Sequence, residues 1–531
     1  MKRAWTTLAA AVLSTALVAR ADPDLPPVGH SRFDELIGDR PVPYPLPRLL
    51  AAITAQMQPE PGGLPALKVT LIPHGRSLQR DAAAPDFFRF PRVVAAADGA
   101  NRPGFAPLRD RLFLGFQEKG EVVEVISYND AAGRFEFQIV RDYAPGKTPQ
   151  VSYARRALCL ACHQNAAPIF ARPLWDETPA NPAIATRLRE SERDFYAVKI
   201  TGTDIAYLID AATDRANLFA VWQTLWRDGC GADGEGTAGD PCRRDAFAAA
   251  LDYATDRTLP AGDALPALAR AWAARWPQGL PIPNADLPNR DPFFPLPDPA
   301  QDPLRLRPPL AVWRTADVTA FVVGLAGLID SALVERLRAV PPARRAAALD
   351  RLHARGAFAA DTFSAALGHA LAAELGIAIA EPGHTMPAPR AEPASAARDD
   401  PALGVYARRC ALCHDTALAH PPNFLHGDPA QVETRIDHCA ERMYARLDQA
   451  NRPEAEQPVA PMPPPAMVGT APAGWLTSPD FTALREDLAA RITRQGGDPH
   501  AVLRQPYASL RGCLPYADMP STPEHAHAPA L

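Results

Sequence analysis

The sequence predicts a multidomain α+β protein, with an N-terminal β-containing domain followed by mainly α-helical regions, and three observations carry that expectation. The chain has 531 residues, more than a single core ordinarily serves, so about three or four domains are expected. Three strand-like runs lie close together at Arg111 to Phe116, Val122 to Tyr128 and Arg134 to Tyr143. Beyond them apolar residues recur at helical spacing, interrupted by stretches dense in proline, of which the chain has 59.

The β runs are joined by Glu118-Lys119-Gly120 and by Asn129 to Gly133, both good turn sequences. In the third run Phe135, Phe137 and Ile139 share one face while Arg134, Glu136 and Gln138 take the other, which predicts a meander with one dry side. Leu67 to Ile72 alternates like a further strand, Leu49 to Met57 suits a short helix, and the proline-rich residues before them read as an extended arm. The N-terminal domain is assigned to residues 22–150 and a helical region to 151–276. In the latter, Leu218, Val221, Trp222, Leu225 and Trp226 share a helix face that reads as core. A linker at 277–310 leads to a helical region at 311–380, where Asp317 and Asp330 bracket an apolar stretch too short to cross a membrane. A second linker, 381–397, is expected to isolate a last domain at 398–515, and a tail covers 516–531.

The net charge of −5 is nearly balanced and favours neither nucleic acid nor an anionic membrane surface as partner. Residues 1–21 read as a cleaved secretory signal: Lys2 and Arg3, a short apolar run from Leu8 to Val18, then Ala19-Arg20-Ala21.

Two pentapeptides dominate the chemistry: Cys159-Leu160-Ala161-Cys162-His163 and Cys410-Ala411-Leu412-Cys413-His414. Two thiols at this spacing suit thioether bonds to the two vinyl groups of one haem, and the next residue supplies an imidazole to the iron. A thioredoxin-like pair or half a zinc cage also uses Cys-x-x-Cys. Against both, each copy carries the following histidine, and neither has a second Cys-x-x-Cys nearby. Two covalently attached haem c groups are therefore expected, held by Cys159, Cys162, Cys410 and Cys413, with His163 and His414 as axial ligands. Four cysteines remain, Cys230, Cys242, Cys439 and Cys513. An even remainder in an exported chain favours disulfides, and of the three connectivities Cys230–Cys242 with Cys439–Cys513 keeps each bridge inside one domain.

On these pentapeptides the chain resembles the c-type cytochromes. Residues 398–515 resemble a class I cytochrome c domain: a helix near 402–409 leads into the motif, an amphipathic helix covers Val432 to Leu447, and a helix at about 480–495 follows the loop Pro461-Met462-Pro463-Pro464-Pro465. The resemblance implies Met462 as the sixth iron ligand, with Met443 and Met467 as rivals. It also implies a periplasmic location, because haem c is attached outside the cytoplasmic membrane. For the first haem the sixth-ligand candidates are Met57, His30, His74, Met386 and His384, and Arg172 is a candidate propionate partner. The expected function is electron transfer with a redox partner protein. One alternative is a dihaem oxidoreductase, peroxidase-like or oxygenase-like, with weaker architectural similarity to the bacterial cytochrome c peroxidase and MauG group. No catalytic residue is assigned for it, His74 and Glu177 being the acid/base candidates. The other is a redox-sensing or partner-binding module.

Overall fold

Six antiparallel strands in chain order form the N-terminal sheet: β1 (Leu67–Ile72), β2 (Arg92–Ala97), β3 (Leu112–Gln117), β4 (Val122–Asn129), β5 (Arg134–Arg141) and β6 (Gln150–Tyr153). The computed structural model describes residues 24–102, 104–171, 177–230, 239–259, 264–290, 292–293, 302–314, 317–378, 386–392, 401–419, 421–467 and 472–513. Residues 1–21, expected to be a signal, Arg172, His384 and residues 516–531 lie outside the described residues. The three expected central strands form as a meander in which Phe113 stands opposite Ile126 and Ile126 opposite Phe137.

Both faces of this sheet are covered, which corrects the expectation of one dry side. Ile72, Ala96, Phe113, Tyr128 and Phe135 join the core of the helical region. On the opposite face Leu71, Val93, Leu114, Phe116, Val125 and Val140 pack with Phe33, Leu36, Leu46 and Leu49. Those four residues belong to α1 (Arg32–Ile37) and α2 (Leu46–Thr54), so the proline-rich N-terminal stretch is not simply an extended arm. The polar residues of β5 are satisfied where they are buried: Arg134 and Arg156 hold Glu136, and the start of α1 holds Gln138. Ser31 Oγ donates to Gln138 at 2.7 Å, Gln138 Nε2 donates to Asp34 at 2.7 Å, and Gln138 is only 1 % exposed. Ser31 also closes a capping box with Asp34, which starts α1.

The helical region follows with α3 (Arg156–Cys162), a short strand β7 (Phe170–Ala171), α4 (Pro182–Glu190), α5 (Thr203–Gly229), α6 (Gly239–Asp256) and α7 (Ala264–Arg275). The strands β8 (Leu280–Ile282), β9 (Asp286–Leu287) and β10 (Ala311–Trp313) come from the expected linker and its end, and they precede α8 (Val318–Leu328), α9 (Ser331–Arg338), α10 (Pro342–Ala354) and α11 (Ala365–Leu375). The α5 stripe is core as expected: Trp226 is fully buried, and Trp222 packs edge-on to Trp313 at 4.9 Å. Cys230 and Cys242 form the expected disulfide between the end of α5 and the first turn of α6. The α8 helix buries Phe321, Val322 and Leu325 in the same core. No single helix among the described residues is long and apolar enough to cross a membrane.

The C-terminal domain is helical: α12 (Gly404–Arg409), α13 (Ala411–His414), α14 (Pro429–Asp448), α15 (Pro472–Leu476), α16 (Pro479–Arg494) and α17 (Pro499–Arg504). Its core gathers Tyr406, Val432, Ile436, Trp475, Phe481 and Leu488. The second linker does not isolate this domain. Tyr153 at the free side of β6 bridges in parallel to Ala391, and Glu392, 6 % exposed, is held by Arg141 and by the Thr416 hydroxyl. Cys439 and Cys513 are brought together, with Cys439 Sγ 3.8 Å from the Cys513 carbonyl, but they are thiols here rather than the expected disulfide. The Cys439 thiol hydrogen-bonds the Cys513 sulfur, which lowers the pKa of Cys513.

Candidate functional site

Each Cys-x-x-Cys-His sits at the end of a helix. Cys159 and Cys162 occupy one face of α3, three residues apart, and His163 terminates it. Cys410 ends α12, and Cys413 and His414 lie in the single turn of α13. The four cysteines are half-buried thiols, with no disulfide within either pair.

The two histidines are prepared in the same way. His163 Nδ1 lies 2.9 Å from the Ala167 carbonyl, and His414 Nδ1 lies 2.6 Å from the Pro422 carbonyl. A carbonyl oxygen only accepts, so Nδ1 carries the proton and Nε2 keeps its lone pair for another partner. This is the orientation that metal-bound histidines use. Burial lowers the pKa of both rings to about 4, helped by Arg307 and Arg92 at His163 and by Arg446 at His414, so both are neutral. Phe137 lies 5.4 Å from the His163 ring, and Phe424 stacks on His414 at 4.3 Å. Burial also pushes the Cys159 thiol up, the Cys410 thiol to about 12 and the Cys413 thiol to about 11. A dithiol redox pair of the thioredoxin kind needs the opposite shift.

The sheet walls the first motif. Cys159 and Leu160 pack against an apolar cluster of Val122, Phe137, Ile139 and Ala154, joined by Leu418 from just beyond the second motif. Beside it, across β2, β3 and β4, Arg92 reaches Glu124 at 2.5 Å over Gly115, where a Cβ would come within 2.1 Å of the guanidinium. The first proline-rich segment straps the motif from the other side. Gln164 Nε2 donates to the Arg305 carbonyl, the Arg307 N–H donates back to Gln164 Oε1, and Arg307 Nη2 donates to the Cys162 carbonyl at 2.6 Å. Arg305 in turn grips Gln457, five residues before Met462.

The two motifs touch. Arg155, which opens α3, donates from Nη1 to the Ala411 carbonyl at 3.0 Å and from Nη2 to Asp415 at 3.1 Å. Both side chains are almost fully buried, at 1 % and 0 % exposure. The other Asp415 oxygen lies 3.0 Å from His426 Nδ1.

The remaining candidates are distributed as follows. Met462 is half-buried, and its N–H donates to the carbonyl of Arg446, whose side-chain charge is felt at His414. Met443 packs on the C-terminal core, and Met467 lies in the short turn Pro465–Met467. Met386 is half-buried and lies five residues before Ala391, in the segment that bridges to Tyr153. Met57 is buried among the residues on the sheet face away from Phe137, and His30 sits beside Asp34 on that side, so both are committed elsewhere. His74 and Glu177 are brought together. Glu177, 4 % exposed, is clamped by Arg76 at 3.0 Å and Arg290 at 2.7 Å, and Arg290 also donates to the His74 carbonyl. His74 lies among Phe87, Phe88 and Phe293, and burial, then the charges of Arg187 and Arg290, lower its pKa to about 4. Arg155, Asp415, Arg307, Gln164 and Gln457 were not anticipated. The only hint was a charged residue at the outer edge of each motif.

No family model, curated protein or solved structure matches this chain.

Proposed function

We propose that this chain is an exported, periplasmic dihaem c-type cytochrome that moves electrons between redox partner proteins. The observation that carries the reading is the shared Nδ1–carbonyl pairing, which leaves His163 and His414 each with an unprotonated Nε2. Cys159 with Cys162, and Cys410 with Cys413, would hold the two haems, and bound haem supplies a one-electron iron couple. The chain's own part is orientation and exclusion of water. The Ala167 and Pro422 carbonyls fix the ring tautomers, Val122, Phe137 and Ile139 present an apolar wall to the first site, and Phe424 backs the second imidazole. Met462, in its proline-lined loop, is the proposed sixth ligand at the second site, where a thioether would favour the reduced state. The C-terminal helices are read as a cytochrome c-like domain on the same grounds.

Mass spectrometry of the mature protein tests this directly. Two added haem masses are expected, falling to one in the Cys159→Ala/Cys162→Ala variant and in the Cys410→Ala/Cys413→Ala variant. An unmodified native mass would refute the reading. One observation favours a catalytic first haem as a second reading: His74 and Glu177 share an arginine cluster whose Arg76 charge is felt by Arg307, the residue bonded to Cys162. Carbon monoxide binding to the reduced protein and consumption of peroxide are its test, and absence of both would dismiss it.

A further inference from the structure

We infer that Arg155 and Asp415 form a charge-balanced strut that fixes the separation of the two haem sites and sets the potential of the second. This rests on the two-haem reading.

The geometry is unusual for a structural ion pair. Arg155 immediately precedes the helix that carries Cys159, Cys162 and His163, while Asp415 immediately follows His414. Counting one helical turn from Arg155 to Cys159 and one residue from Ala411 to Cys410, the two sets of thioether anchors lie within about 20 Å of each other. The pair is desolvated, and the guanidinium makes a two-point hold on Asp415 and the Ala411 carbonyl. Electron tunnelling falls off exponentially with the gap between donor and acceptor, so a rigid link of this kind determines whether the electron leaving one iron as it is oxidised is the electron that reduces the other.

The charges have a second effect. With Arg155 present, the Asp415 carboxylate beside His414 is balanced. Removing Arg155 leaves a buried negative charge, which favours the oxidised, more positive second site. Removing Asp415 leaves a buried positive charge, which favours the reduced site. The two single substitutions therefore act in opposite directions, an outcome that loosened packing alone would not produce.

The experiment uses the full-length holoprotein. Haem content is fixed first by mass. Redox titration of Arg155→Leu and Asp415→Asn is expected to show the second haem shifted by about tenfold in its equilibrium constant, down in the first and up in the second, each equivalent to about 59 mV for a one-electron couple. Arg155→Lys, which keeps the charge but loses the fork, returns the potential toward native. After rapid photoreduction, electron equilibration between the haems slows by about tenfold or more in the Arg155→Leu/Asp415→Leu double variant. That double variant also carries the test if a single variant fails to fold. Shifts of the same sign in the two single variants, or native-rate equilibration in a double variant that holds both haems, would overturn the strut. A native protein without two haem masses would overturn the underlying reading instead.

Discussion

Glu177→Gln offers a sharp test of how the N-terminal domain is held to the helical region. Glu177 accepts from Arg76 at 3.0 and 3.3 Å and from Arg290 at 2.7 Å, so one carboxylate balances two guanidinium groups. The Arg76 side chain is 2 % exposed, that of Arg290 23 %. At an effective dielectric of about 20, each contact near 3 Å has a gross Coulomb attraction of about 5 kcal/mol, most of which desolvation offsets. Glutamine has the same shape, and its carbonyl still accepts one hydrogen bond, but it removes the carboxylate charge that faces Arg76 and Arg290. Breaking a buried pair from one side typically costs about 3–5 kcal/mol, and we expect the lower end because the amide retains a bond. Urea denaturation should therefore shift to lower midpoint, and hydrogen exchange should accelerate in residues 74–90 and 177–190. Replacing Arg76 as well, in Arg76→Met with Glu177→Leu, should recover part of the loss, because the more deeply buried guanidinium is gone while Arg290, 23 % exposed, keeps part of its hydration. A Glu177→Gln variant within about 0.5 kcal/mol of native, or a double variant worse than the single, would refute the assignment.

Further expectations concern the bridge, one titrating group and one ligand. Replacing Cys230 and Cys242 by serine opens a loop with a sequence separation of 12 and should cost about 3 kcal/mol in denaturant titrations, with native stability in the variant the contrary result. Because the His74 pKa is lowered to about 4, the unfolded chain binds the extra proton first. Its contribution to stability is complete above about pH 6.5 and erodes as the pH falls toward 4. Acid-unfolding curves of His74→Phe should lose that slope, and an unchanged slope would contradict the burial. Met462→His should lower the potential of the second haem, since imidazole favours the oxidised iron more than a thioether does. An unchanged potential would remove Met462 from the coordination sphere.

Much of the framework could be read from residue order alone, for reasons that also mark where such reading stops. The central meander was legible because Phe135, Phe137 and Ile139 alternate with polar neighbours between clear turns. β2 was not, since Arg92–Ala97 is mostly alanine and valine without alternation, and β6 has only four residues. The polar face of β5 looked wet because alternation reports polarity rather than exposure. Ser31 and Asp34, about a hundred residues upstream, bond Gln138 and make its burial tolerable. The two pentapeptides were visible at once, whereas Arg155 and Asp415 are 260 residues apart and meet only through the fold. The same holds for His74 with Glu177: each was a guess from sequence, and Arg290 joins them.

The Tyr153–Ala391 bridge has a consequence for association in solution. A sheet whose last strand ends openly offers a row of unsatisfied amides and carbonyls to any passing chain. Here Tyr153 gives its N–H to the Arg390 carbonyl and its carbonyl takes the Glu392 N–H, so the segment that leads into the terminal domain acts as a guard rail at the end of β6. Detaching that segment would uncover a templating edge, and the freed N-terminal half would be prone to self-assembly.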